Sequence, residues 1–215
     1  MRRKRVSAVY AKSLLQSSRH VRAILRELIQ NRLTPLLRES AISNTPIDML
    51  PLNFAYGLDF VTAFICGLSR STNFIQQEDR RREWLEHYDR SHPYGSMFWL
   101  QEQPKLVTFL RRLGIHVVPR SYTVADAEFD KWGLQMVDAT EDALQAGLND
   151  ECAEAGDMPL MYYQLKLTMA RDLDLDHGAL FDPSPEQKRE IASECLDHVG
   201  KSSPANFDSE TKSSR

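Results

Sequence analysis

Residues 47–68 read Ile-Asp-Met-Leu-Pro-Leu-Asn-Phe-Ala-Tyr-Gly-Leu-Asp-Phe-Val-Thr-Ala-Phe-Ile-Cys-Gly-Leu, and no other region of the chain is as apolar. A stretch of this kind is either a membrane span or the buried helix of a packed core. Asp48 and Asp59 interrupt it and Arg70 closes it. The uncharged runs between them fall far short of the ~20 residues that a span needs. A charge at the bilayer centre costs roughly 2.5–3.5 kcal/mol on insertion scales. The reading is therefore a core helix over Leu52–Ile65, with no transmembrane segment in this chain.

Working outward, the periodicity is helical nearly throughout. Val21, Ile24, Leu25, Leu28, Ile29, Leu33, Leu36 and Leu37 recur at three- and four-residue steps, which makes one face apolar. Ser17 or Ser18 caps that helix, and Pro35 distorts its last turn. Residues 78–89 form a short polar helix with Trp84, Leu85 and Tyr88 inward. Leu106, Val107, Leu110 and Leu113 mark another, with Gly114 placed for a C-terminal cap. Ala125, Phe129, Trp132, Met136, Ala139 and Ala143 define the seam of one long amphipathic helix. Residues 158–169 add a further helix. Ser184-Pro185-Glu186-Gln187 opens the last one with a capping box, and Ile191, Ala192, Cys195 and Leu196 form its buried face. The single β-like run is Gly114 to Pro119. The fold class is mainly α.

Composition narrows the function classes. The chain has 215 residues, 27% of them charged and 42% hydrophobic, with a net charge of −3. That is a globular balance, and it argues against binding of nucleic acid by the whole protein. Three Cys and no Cys-x-x-Cys pair favour reduced thiols over a disulfide framework or a closed zinc site. The charge is unevenly spread. Residues 1–39 carry ten Lys and Arg against two acids, whereas residues 138–198 carry four against fifteen. The basic start reads as a solvated helix face, a mitochondrial presequence or, at Arg2-Arg3-Lys4-Arg5, a nuclear signal.

Local site candidates are weak on chemical grounds. Asp172-x-Asp174-x-Asp176 begins like a calcium loop, but such a loop needs Gly at position six and Glu at position twelve. His177 and Pro183 stand there. Cys195 and His198 lie three apart on one helix, and zinc needs three or four ligands. His116 sits among apolar residues as a core or strand-end histidine. No phosphate-cradling Gly-rich loop and no Gly-x-Ser-x-Gly elbow occurs.

Several segments, in order, resemble fungal cytochrome P-450 monooxygenases. They are Arg3-Lys4-Arg5-Val6-Ser7-Ala8-Val9-Tyr10-Ala11-Lys12-Ser13, then Asn53 to Gly67 with its Asp59-x-Val61-Thr62-Ala63 run, then Gln103-Pro104. Gly114-Ile115 to Val118-Pro119 and Ala127 to Trp132 follow, and Ile191 to His198 is similar to the start of the family's long central helix. The resemblance spans residues 2–199. It implies a partial helical domain over 1–200 built like the family's central helices, and a disordered tail over 201–215, where Phe207 is the one large apolar residue.

The resemblance also implies what the intact family carries: haem, a small lipophilic substrate, an NADPH-dependent reductase, and a membrane anchor that places the domain on the cytoplasmic side of the endoplasmic reticulum. Arg2, Arg3 and Arg5 match a helix that supports a haem propionate. The family's central helix continues through Ala-Gly and an acid–Thr pair, where this chain has Gly200-Lys201-Ser202. The Glu-x-x-Arg of the family's later core helix is absent, and so is its Phe-x-x-Gly-x-x-x-Cys-x-Gly loop. That loop's Cys is the axial haem ligand. The expectation is a truncated internal fragment, inactive alone and binding no haem, with residues 201–215 encoded by a retained intron. The alternatives are a non-enzymatic helical binding protein and an unrelated helical protein with a presequence.

Overall fold

A computed structural model describes residues 11–91, 99, 102–115, 117, 120–148, 153–174 and 181–201. Among these every regular element is helical and none is a strand. The mainly α class read from periodicity is the class observed. The chain divides into two compact units, one of Met1–Glu78 with Gly133–Arg215 and the other of Asp79–Trp132.

The first unit opens with α1 (Lys12–Ser17) and α2 (Arg19–Arg26). Ser18 caps α2, its hydroxyl accepting from the Val21 amide at 3.3 Å. The helix then widens into a π segment, Glu27–Leu33, before resuming as α3 (Thr34–Ser43). The expected distortion by Pro35 is therefore not in the last turn. Pro35 has no N–H, and its ring crowds the carbonyl four residues back, so the chain relaxes one turn earlier. Thr34 closes the wide turn by donating both its amide and its hydroxyl, the latter at 2.7 Å, to the Ile29 carbonyl. Val21, Ile24 and Leu28 are buried as the spacing required, while Ile29 and Leu37 are exposed.

The apolar stretch forms α4 (Met49–Cys66). Asp48 caps it, accepting from the Leu50 amide at 3.0 Å. Among the described residues this helix is long and apolar enough to cross a membrane, and 56% of it is buried inside the protein. It packs against α2, the π segment, α8 (Leu160–Asp172) and α9 (Pro185–Lys201), which makes it the hub of the unit. A short 3-10 turn, Leu68–Arg70, follows. Helix α9 begins with the predicted capping box: Ser184 donates its amide to Gln187 Oε1 at 2.7 Å, and the Gln187 amide returns to Ser184 Oγ at 3.4 Å.

A backbone latch joins the end of α4 to residues 156–157. Leu68 donates to the Gly156 carbonyl at 3.0 Å, and the Ser69 amide to Asp157 Oδ1 at 2.7 Å. Arg70 bridges the same seam, with Nε on the Cys66 carbonyl and Nη2 on the Asp157 carbonyl, both at 2.7 Å. Gly67 has φ +89°, and a Cβ there would run into the Asp157 carbonyl. Both facts call for glycine.

The second unit holds α5 (Glu78–Ser91), α6 (Pro104–Arg112) and the first half of α7 (Arg120–Gln145). Trp84 stacks on Tyr88 at 5.3 Å and meets Phe129 and Trp132 at 5.7 Å each. These aromatic pairs use the i,i+3 and i,i+4 neighbours of two helices. His87 Nδ1 lies 2.9 Å from Glu128 Oε2. Helix α6 ends at the predicted cap, Gly114 with φ +80°, but its apolar face is not core. Phe109 is 57% exposed and Leu113 is 61% exposed, beside exposed Leu106 and Ile115. Of the β-like run, Gly114 lies in a turn, Val117 in a bend and Ile115 in irregular chain, and the rest lies outside the described residues. The tail also lies outside them from residue 202, and Lys201 closes α9.

Two outcomes follow. Gly67→Ala should cost about 2–4 kcal/mol in denaturant unfolding, since it combines a strained φ with a backbone clash. The double variant Phe109→Ser/Leu113→Ser removes exposed apolar area while uncovering no core, so solubility should rise with the melting temperature unchanged.

Candidate functional site

Three polar clusters lie within the first unit, and they hold most of its chemistry. The first is built on Asp59, fully buried in α4. Its Oδ1 accepts from the Thr72 hydroxyl at 2.7 Å and the Phe74 amide at 2.8 Å, and its Oδ2 accepts from the Ile75 amide at 3.1 Å. Arg32 Nη1 lies 3.6 Å from Oδ2 and donates to the Thr72 carbonyl at 2.9 Å. Thr62 joins one turn along, accepting from the Thr72 amide at 3.1 Å. Burial pushes the Asp59 carboxyl up, and the Phe74, Thr72 and Ile75 donors and Arg32 offset part of this. Both carboxylate oxygens are met by groups of residues 72–75, which the carboxylate thereby organises.

The second cluster joins α7 to α8. Lys166 Nζ sits 2.7 and 2.9 Å from the two oxygens of Glu141, and the Tyr162 hydroxyl donates to Glu141 Oε2 at 2.6 Å. Gln145 Nε2 donates to Oε1 at 3.1 Å. The Lys166 and Glu141 side chains are 1% and 0% exposed. The ammonium also lies 5.4 Å from the centre of the Phe181 ring. Burial, and then the Glu141 carboxylate accepting its hydrogen, push the Tyr162 phenol up.

The two described thiols lie close to the same cluster. Cys66 is hydrogen-bonded to Thr140, and burial pushes its thiol up to about 11. Burial, with Cys66 and Glu194 nearby, pushes Cys195 well up too. A protonated, buried thiol is neither a nucleophile nor a metal ligand.

The third cluster is the His20 corner. Its Nδ1 accepts from the Gly156 amide at 3.0 Å, and its Nε2 accepts from Arg19 Nε at 3.2 Å. This buried histidine ties α2 to the latch. None of these clusters combines an accessible nucleophile, a base and an oxyanion donor.

The residues singled out by sequence fall as follows. Arg2, Arg3, Arg5, His116, Cys152, Asp176 and His177 lie outside the described residues. Asp172 ends α8 and Asp174 has φ 57° in the turn after it. Cys195 is buried, and His198 follows on the same helix. No group of three or more metal-ligating side chains occurs among the described residues.

The seam of α7 needs correction. Ala125 is buried, and Phe129 and Trp132 join the aromatic cluster, as expected. Beyond Gly133 the buried residues are Val137, Thr140, Glu141 and Leu144, while Ala139 is exposed and Met136 and Ala143 are half-buried. A buried Glu and Thr are invisible to a reading that searches for apolar side chains, so Glu141 was missed. Asp59, Lys166 and His20 were missed for the same reason.

No family model matches the chain, and no solved structure matches it. Among curated proteins, Cytochrome P450 monooxygenase avaI of Aspergillus versicolor is 33% identical over 87 residues. The match covers 39% of this chain and 21% of that protein, so it spans about a fifth of the relative's length. It points the same way as the sequence resemblance.

The buried acids fix an alkaline response. Cys66 ionises at about 11 when folded and near 9 when unfolded. Its stabilising contribution is complete below pH 9 and disappears as pH rises through 11. Stability should fall over that window by roughly 2–3 kcal/mol from this group alone. Cys66→Ala should make the decline shallower in pH-dependent denaturant titrations.

Proposed function

We propose that this chain belongs to a haem-thiolate monooxygenase of the cytochrome P-450 kind, concerned with oxidation of small lipophilic substrates in fungal secondary metabolism, and that the chain alone does not catalyse it. The observation that carries the relationship is the 33% identity over 87 residues to the Aspergillus versicolor monooxygenase. A helical architecture organised around α4 is consistent with it.

Haem in this family needs a Cys thiolate as axial ligand. Cys66 and Cys195 do not fit that role. Both are buried, Cys66 at the end of α4 and Cys195 within α9, and burial pushes both thiols up toward the protonated form. No catalytic step is therefore derived through haem for this chain. The lipophilic substrate, the NADPH-dependent reductase and the position on the cytoplasmic face of the endoplasmic reticulum belong, in this reading, to the intact protein.

The test is a carbon monoxide difference spectrum of the purified, reduced chain after haem supplementation. No Soret band at the thiolate position is expected. Such a band, lost in one of the Cys variants, would overturn the inactivity.

A further inference from the structure

We propose that the Glu141–Lys166–Tyr162 contact is a rotational key that decides which face of α7 enters the core of the first unit. Helix α7 offers two candidate faces beyond residue 132. One is the apolar stripe that its sequence displays, Met136, Ala139 and Ala143 continuing from Trp132. The other is Val137, Thr140, Glu141 and Leu144, the face that is buried. The two differ by about one residue step, roughly 100° of helix rotation. The first is apolar throughout, whereas the second takes Thr140 and Glu141 into the core.

The structure adopts the second. That face carries Glu141, whose two oxygens receive Lys166 Nζ at 2.7 and 2.9 Å, with Oε2 also accepting from the Tyr162 hydroxyl at 2.6 Å. Rotating α7 to bury the apolar stripe would withdraw that carboxylate and leave Lys166, on the buried face of α8 with Met161, Tyr162, Leu165 and Met169, without its counter-ion. A buried cation that loses its partner is strongly penalised, whereas replacing both partners with apolar groups is often neutral. The pair therefore adds little net stability over an apolar substitute and much discrimination between the two rotations. A single buried polar contact that sets register is the best-attested use of such groups.

The test places a reporter thiol on each face of α7 in the full chain: Ala139→Cys on the exposed side and Val137→Cys on the buried side. Each is labelled with a maleimide, and the modified peptide is located by mass spectrometry, which separates it from the native Cys. In the parent, position 139 labels fast and position 137 slowly. In Glu141→Leu/Lys166→Met the order should reverse, with 137 accelerated and 139 slowed by roughly tenfold or more. In the swapped pair Glu141→Lys/Lys166→Glu the parent order should persist.

Three results would overturn the proposal. One is the parent order in the apolar variant. Another is uniformly fast labelling at both positions of that variant, which would make the pair a simple stability element. The third is reversal in the swapped pair.

Discussion

A carboxylate at the middle of the most apolar helix is the constraint on which the first unit depends. Asp59 cannot face water, so each oxygen must be met from within, and the Thr72 hydroxyl with the Phe74 and Ile75 amides does so. These donors belong to the segment that leaves α4 and turns toward α5. Arg32 completes the arrangement from the π segment, and its inward reach ties the widened turn to the hub helix. One acidic residue thereby couples a helix interior, an irregular connection and a helix distortion. Its effect is to convert what composition presents as a possible membrane span into an organising centre for loops.

Much of the fold was legible because its signals are local. Ser18, Gly114 and the Ser184–Gln187 box are capping chemistry that acts within four residues, and each was read correctly from the sequence. The aromatic set of Trp84, Tyr88, Phe129 and Trp132 was legible for a similar reason, since helical spacing brings large apolar groups to one side. What failed was non-local. Pro35 was expected to damage the turn around it, but the chain relieved the clash upstream by widening its register. The later part of α7 was placed on the wrong face because Glu141 meets Lys166, 25 positions away. Sequence spacing contains no term for a partner on another helix.

The same distinction governs the functional reading. Of the residues that resemble the cytochrome P-450 pattern, Asp59 and Thr62 are engaged in contacts within the first unit. The described thiols are held neutral by burial. The partial match to the Aspergillus versicolor protein covers 39% of the chain.

The latch between Gly67 and residues 156–157 carries a consequence for how this protein tolerates change. Beside the Asp157 and Arg70 side chains, it depends on a place where the absence of a side chain is the requirement. Gly156, with φ +101°, is similarly confined, since a Cβ there would strike the Leu68 side chain. A saturation screen scored only by retained fold would therefore rank Gly67 and Gly156 among the least replaceable positions, as intolerant as an active-site nucleophile. That intolerance would report the thickness of one methyl group, against a carbonyl at Gly67 and a leucine side chain at Gly156, and nothing about reactivity.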